Sequence, residues 1–224
     1  MTAVTLGLLA VACSEAPRSA AADVPITDVR RLPPGRAAQI PDVMMQAADA
    51  GRAIGPDSAG VRVYVVSDYQ CPDCRTWFEQ TLPALRAAYV ETGKVRLIWS
   101  HYPLRTHPHA VRAASASLCA SVQGKFWEAS ARLFASQDQW GGSRDGTFLV
   151  DSVARVPGTD AFTFQNCVES GRMLRQVRMD IDWADTAQVG APLTVLVSSR
   201  AVAAPPTLAS VRAAIDAALA ERSR

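Results

Sequence analysis

The sequence has little net charge and no run of basic residues. Its 224 residues carry a formal net charge of +2, with no Lys/Arg cluster or basic stripe. Nucleic-acid-binding proteins usually present such a stripe to the phosphate backbone, so nucleic acid is not expected as a partner. Hydrophobic residues make up 49% of the chain, enough for the core of one domain. No internal repeat is visible.

The apolar stretch at the start, Met1 to Ala12, is too short to span a bilayer comfortably. It has the length of a signal-peptide hydrophobic region, although no Lys or Arg precedes it. Cleavage after Ala12 would leave Cys13 first, which resembles a bacterial lipoprotein whose cysteine is lipidated. Cleavage after Ala22 would discard Cys13 instead. Both options predict a signal region over residues 1–22 and a periplasmic or extracytoplasmic protein, with a lipid anchor at Cys13 only in the first case.

The rest of the chain predicts one tether and one folded domain. Residues 23–36 have the composition of a flexible tether, and residues 37–224 form the domain. Apolar periodicity in the domain predicts strand, helix, strand, a block of helices, two strands and a last helix. The predicted elements are a helix over 40–53, strands over 61–66 and 95–99, a helix over 72–92 kinked at Pro83, an insertion of helices over about 108–187, strands over 193–197 and 201–203, and a helix starting at 205–206.

One close pair of cysteines, Cys71-Pro72-Asp73-Cys74, follows the first long strand and begins a helix. The unpaired N–H groups of a helix N-terminus stabilise a thiolate at Cys71 and lower its pKa. One turn of helix brings Cys74 within bonding reach of Cys71. Pro72 at the first helical position costs no useful hydrogen-bond donor. This placement predicts a redox-active thiol pair.

Asp73 introduces two opposing electrostatic effects beside this pair. Its carboxylate repels a thiolate but interacts favourably with the helix N-terminus. Between partly exposed charges such an interaction is worth ~1–4 kcal/mol, so neither effect clearly dominates. We expect a less oxidising pair than one with histidine at this position.

Metal binding is the alternative use of these thiols. A four-thiolate zinc site needs a second closely spaced cysteine pair, which the chain lacks. The three histidines, His101, His107 and His109, could complete a site with the thiols, but loop histidines beside prolines are more often solvated or capping. The sequence therefore predicts no metal and no cofactor.

These features resemble the DsbA-like family of exported thiol-disulfide oxidoreductases in the thioredoxin superfamily. The resemblance runs from about residue 55 to 219 and includes the strand leading into CPDC, the YPL segment with His107, and the QGKFWE segment of the inserted helices. It implies an α/β thioredoxin fold with an inserted helical subdomain. It also implies that Cys71 is the exposed attacking thiol and Cys74 the buried resolving thiol.

The same resemblance places a cis-proline at Pro192, facing the cysteine pair. There the backbone of Ala191 could bond an extended substrate chain, as in strand addition. A trans proline that merely starts a strand is the alternative. Family members often carry Thr or Val before this proline, so Ala191 leaves the direction of exchange open.

The five cysteines leave Cys119 and Cys167 to be explained. Some members of the family carry a second disulfide in the inserted helices, and an oxidising compartment favours a bond between these two. The alternative is a pair of buried free thiols. Three aromatic residues lie close to the CPDC motif in sequence. Phe78 is expected in the core, with Tyr69 and Trp77 partly exposed beside Cys71.

The leading hypothesis is an exported enzyme that exchanges disulfides with cysteine-containing exported proteins through a mixed disulfide. A membrane-bound or soluble redox partner would recycle it. The alternatives are a disulfide reductase or isomerase, or a non-catalytic lipoprotein that uses the fold for metal binding or interaction.

Overall fold

The strands of the chain form one mixed sheet in this computed structural model, which describes residues 43–143 and 146–223. The predicted signal region, the tether and Cys13 lie outside the described residues. The sheet order is β1-β3-β2-β4-β5, with β2 and β3 parallel and the other neighbours antiparallel. The strands are β1 (Ala53–Ile54), β2 (Val61–Ser67), β3 (Val95–His101), β4 (Thr194–Val197) and β5 (Arg200–Ala201).

In the part of the chain that the structure describes, the helices follow the predicted order, with six of them between β3 and β4. This block, α4 to α9, is called the helical insertion below. Among the described residues, none of the helices is long and apolar enough to cross a membrane. The helices are α1 (Val43–Gly51), α2 (Pro72–Gln80), α3 (Leu82–Leu85) with a π-helical turn at Arg86–Val90, α4 (Ala110–Ser121), α5 (Phe126–Ala135), α6 (Gln137–Trp140), α7 (Thr147–Ala154), α8 (Ala161–Glu169), α9 (Leu174–Thr186) and α10 (Leu208–Arg222).

Several predicted boundaries need correction. The helix predicted over 72–92 is interrupted at Thr81, and Pro83 lies in the first turn of α3, where its missing N–H costs nothing. The last helix begins at Leu208 because Thr207 caps it, accepting from the N–H of Ser210 at 3.2 Å. The short strand β1 was not predicted.

Helix α4 is the centre of the helical insertion. Every residue in it except Arg112 is buried, and it packs against α1, α5, α7, α8 and α9. Its alanines and serines are small, so neighbouring helices can approach closely. The hydroxyl of Ser121 donates to the carbonyl oxygen of Ala48 at 2.7 Å, which joins α4 to α1. The insertion is therefore built around α4 and tied to the helix that precedes the sheet.

A disulfide joins Cys119 of α4 to Cys167 of α8, so neither is a free thiol in this structure. The two cysteines are 48 positions apart in sequence. Closing a loop of this length restricts the unfolded chain, which stabilises the folded state.

Replacing both cysteines, as Cys119→Ala/Cys167→Ala, is expected to lower the free energy of unfolding by about 2–4 kcal/mol. For a chain of this size the melting temperature should fall by roughly 5–15 °C. Calorimetry of the variant and of the wild type, with and without reductant, measures the change. The reduced wild type should melt near the variant; equal melting temperatures for oxidised wild type and variant would contradict the prediction.

A buried ionic cluster joins the start of the sheet to the helical insertion. Arg52 donates to Asp180 at 2.5 Å, and His101 Nδ1 lies 2.8 Å from the same carboxylate oxygen. Burial alone would raise the pKa of Asp180, but the charge of Arg52 and the hydrogen bond with His101 outweigh it and lower the pKa to about 2. Arg52 also binds Asp49, which is exposed to solvent. Asp180 is therefore a carboxylate that the fold holds ionised in its interior.

Candidate active site

The two cysteines lie at the start of α2, just after the turn that connects it to β2. The chain leaves β2 at Ser67 and turns, with the N–H of Cys71 donating to the carbonyl oxygen of Asp68 at 3.1 Å. Cys71 is the N-cap of α2, and its sulfur accepts from the N–H of Cys74 at 3.3 Å. Cys71 is partly exposed and Cys74 fully buried, and both are free thiols here. The Cys71 sulfur is therefore accessible to a substrate, whereas the Cys74 sulfur is shielded from solvent.

The pKa values of the two thiols are moved in opposite directions. Hydrogen bonding to the Cys74 side chain is the main cause that lowers the pKa of Cys71 to about 7, helped by the N–H groups of Cys74 and Asp73 and opposed by burial. Burial is the main cause that raises the pKa of Cys74, and hydrogen bonding to Cys71 raises it further. At neutral pH the proton is therefore lost from Cys71 first.

Pro72 and Asp73 are both exposed in the first turn of α2. Pro72 stands at the start of the helix, as its missing N–H requires. Asp73 contributes its backbone N–H to the thiolate. Its carboxylate is placed in the first turn, where the helix dipole favours negative charge.

Asp68 and His107 form a polar pair beside Cys71. One oxygen of Asp68 accepts from the N–H of Gln70 at 2.7 Å, and the other accepts from the N–H of Leu104 at 2.8 Å and lies 2.7 Å from His107 Nδ1. The carboxylate is wholly buried, while the imidazole is 23% exposed. The pair therefore ties the loop after β3 to the turn that carries Cys71.

The helical insertion also holds this turn, through a residue that sequence reasoning missed. Gln137 of α6 donates to the carbonyl oxygens of Tyr69 at 2.7 Å and Cys71 at 3.1 Å. Gln70 donates to the carbonyl oxygen of Gly141 at 2.7 Å. Gln137 is 66 positions away from Cys71, and no local pattern marks it.

The expectation that Tyr69 and Trp77 are partly exposed is wrong. Tyr69 is 1% and Trp77 4% exposed. The hydroxyl of Tyr69 bonds to that of Ser130 at 2.6 Å, and Trp77 Nε1 donates to the carbonyl oxygen of Pro206 at 2.8 Å. Both side chains are buried because each polar tip finds a partner inside the protein.

The cis peptide expected before Pro192 is not found. Among the described residues the cis peptide is at Ala204–Pro205. Before β4 the chain instead bends through Leu193, whose φ is 58°, and the Thr194 hydroxyl donates to the carbonyl oxygen of Ala191 at 2.8 Å. The bend before β4 is made at this left-handed residue, and the peptide before Pro192 is trans.

Ala191 and Pro192 nevertheless lie at the same end of the sheet as Cys71. Thr194 pairs with Val66 in the antiparallel register of β4 and β2. Ala191 is exposed there.

The three histidines that could have shared a metal are held by different partners. His101 is buried between Asp180 and the hydroxyl of Ser117, at 3.1 Å from the latter. His107 bonds to Asp68, and His109 Nε2 donates to the carbonyl oxygen of Ser143 at 2.7 Å. Within residues 43–143 and 146–223, no three or more His, Cys, Asp or Glu side chains are grouped as metal ligands would be.

Comparisons with known proteins agree with this geometry. A family model described as thioredoxin matches residues 47–217. A Na⁺/H⁺ antiporter NhaA 3 of Salinispora tropica is 32% identical over 77% of this chain, and the chain spans only 25% of that protein. A probable disulfide bond formation protein D of Bacillus anthracis is 28% identical over 77% of this chain and 80% of its own length.

Solved structures share the architecture. BdbD of Bacillus subtilis superposes with a TM-score of 0.68 at 20% identity, over 76% of this chain and 94% of its own. DsbA of Chlamydia trachomatis gives a TM-score of 0.67 at 18% identity, over 77% and 93%. The predicted fold class and resemblance are confirmed: the chain belongs to the thioredoxin family and has the α/β fold, with inserted helices, of its DsbA-like members.

Proposed function

We propose that this protein is an exported thiol-disulfide oxidoreductase that exchanges disulfides with other proteins through Cys71 and Cys74. The observation that carries the proposal is the asymmetry of the pair. Cys71 is partly exposed with a pKa lowered to about 7, and Cys74 is buried with a raised pKa. An attacking thiol must be accessible and ionised near ambient pH, whereas a resolving thiol must be protected until it is needed.

The exchange proceeds through a mixed disulfide. The Cys71 thiolate attacks one sulfur of a substrate disulfide, forming a Cys71–substrate bond and releasing the other substrate sulfur as a thiolate. Cys74 then loses its proton to solvent and attacks the Cys71 sulfur. The Cys71–Cys74 disulfide closes, the second substrate thiolate leaves, and two electrons have passed to the substrate. The same steps in reverse oxidise a substrate dithiol.

The substrate chain is proposed to lie along Ala191. This residue is exposed at the end of the sheet near Cys71, and its carbonyl oxygen keeps a lone pair beside the bond from Thr194. An extended peptide could bond there as an added strand. Pro72 and Asp73, which are exposed in the first turn of α2, and Pro192, which follows Ala191, are proposed to tune the reaction.

Export, with or without a lipid at Cys13, is part of the proposal and follows from the apolar stretch at residues 1–12. The partners would then be cysteine-containing exported proteins and a redox partner that recycles the pair. A reductase or isomerase uses the same chemistry in another direction, so the reduction potential of the Cys71–Cys74 couple distinguishes these roles.

Trapping of the mixed disulfide tests the mechanism. Cys74→Ser leaves Cys71 able to attack but removes the resolving thiol, so a stable adduct with a disulfide-containing peptide should accumulate. The wild type should reduce insulin without retaining such an adduct. Mass spectrometry under non-reducing conditions identifies the linked residue. The absence of an adduct on Cys74→Ser, or of insulin reduction by the wild type, would contradict the proposed function.

A further inference from the structure

The pair Asp68–His107 lies beside Cys71 but has no part in the exchange steps above. His107 Nδ1 is 2.7 Å from the Asp68 carboxylate. The hydrogen bond to Asp68 is the main cause that raises the pKa of His107, and negative charge on Cys71 raises it further. The backbone carbonyl oxygen of Asp68 accepts the N–H of Cys71 at 3.1 Å, so the pair lies in the turn that carries the reactive cysteine. The imidazole is therefore held beside this turn and toward its charged form.

Without a counter-ion, the negative charge of Asp68 would oppose ionisation of the Cys71 thiol. Its buried carboxylate is near enough to raise the pKa of the Cys71 thiol. The carboxylate cannot simply be dispensed with, because it accepts the N–H groups of Gln70 and Leu104 and thus shapes the turn before Cys71. A positive charge beside Asp68 is needed to cancel its effect on the sulfur.

We propose that His107, held as a cation by Asp68, is a positioning residue that stabilises the Cys71 thiolate by its charge. The inference rests on the proposed role of Cys71 as the attacking thiol. The dipeptide between the cysteines is Pro-Asp and supplies no cation. In this protein the cation reaches the site from the loop between β3 and α4.

The other charged groups around the site have different partners or a different effect. On α2, Arg75 is engaged by Glu79 at 3.2 Å and by Asp138 of α6 at 2.7 Å. Behind Asp68, burial lowers the pKa of His101, which keeps it neutral and bonded to Asp180.

Asp73 has the opposite charge to His107, because it is a carboxylate in the first turn of α2. Cys74 remains protonated because burial raises the pKa of its thiol. Among these groups, His107 is the one that is hydrogen-bonded to Asp68 and whose pKa also responds to negative charge on Cys71.

The test is a pH titration of Cys71 in the reduced full chain, followed by thiolate absorbance and by the alkylation rate at this residue. In His107→Asn the pKa of Cys71 should rise by about 1 unit, and alkylation near pH 6 should slow about tenfold. His107 is a cation only below its raised pKa, so the difference from wild type should fade as the pH rises above it.

Two further variants separate charge from structure. His107→Lys keeps a cation beside Asp68 and should restore the pKa of Cys71 to within about 0.3 units of wild type. Arg105→Gln removes a full charge from an exposed position in the same loop and should leave that pKa unchanged. The inference is overturned if His107→Asn titrates like wild type, if His107→Lys behaves like His107→Asn, or if Arg105→Gln has an equal effect.

The titration does not depend on exchange activity. A wild type that fails to reduce insulin but shows the shift on His107→Asn would overturn the proposed function and support this inference. If the wild type reduces insulin but His107→Asn does not shift the pKa of Cys71, this inference is overturned and the proposed function is supported.

Discussion

Replacing Cys71 with serine is expected to abolish disulfide exchange, with a loss of at least about a thousandfold in the insulin-reduction rate. A serine hydroxyl is not ionised near neutral pH and cannot form a disulfide, so no mixed disulfide can begin. Cys74 cannot replace it, because it is buried and its pKa is raised. The rate of insulin reduction, measured with excess reductant, gives the size of the loss.

The loss should occur without unfolding. Cys71 is the N-cap of α2 and its sulfur accepts from the N–H of Cys74. Serine is a favoured N-cap residue and can accept the same bond, so the melting temperature should stay close to wild type. The matched control is Cys119→Ala/Cys167→Ala, which removes the two cysteines outside the CPDC pair and should retain exchange activity at temperatures where it is folded. Substantial activity in Cys71→Ser would contradict the assignment of the attacking thiol.

Replacing Asp180 with asparagine is expected to give the largest loss of stability. The Asp180 side chain is 3% exposed and accepts from Arg52 at 2.5 Å and from the backbone N–H of His101 at 3.0 Å. Asparagine keeps the shape but leaves the buried charge of Arg52 without its main partner. Breaking such a pair costs about 3–5 kcal/mol, so urea denaturation should show that reduction in the free energy of unfolding.

Asp49 provides the matched control for this experiment. It binds the same guanidinium of Arg52, but its side chain is 57% exposed. An exposed ion pair is worth about 0–1 kcal/mol, so Asp49→Asn should change stability little. Equal effects of Asp49→Asn and Asp180→Asn would contradict the importance of burial.

Acid should also narrow the difference between Asp180→Asn and the wild type. The pKa of Asp180 is lowered in the folded state from 3.8 to about 2. Its stabilising contribution is therefore fully present above about pH 4 and is lost as the pH falls through about 2. Denaturation of both proteins at several pH values across that range measures the convergence.

Apart from the short strand β1, the sequence was sufficient for the order of the elements and for the position of the CPDC pair at the start of a helix. Val61 to Val66 is a run rich in β-branched residues, and the pair follows it at the start of a helix. Such signals are local, because they depend on side chains within one strand or one helical turn. On the other face of β2, Arg62 is exposed and Tyr64 is only partly buried, with its ring 5.0 Å from that of Trp183 in α9.

The position of the CPDC pair, between a strand and a helix, was thus determined by the sequence alone, whereas its surroundings were decided by tertiary structure. His107 and Gln137 hold the turn from Asp68 to Cys71 from two distant segments, and the chain bends at Leu193 without the expected cis bond at Pro192. Burial of Tyr69 likewise depends on Ser130, 61 positions away. Contacts between distant segments set charge, burial and backbone direction only once the chain has folded, so no local pattern in the sequence encodes them.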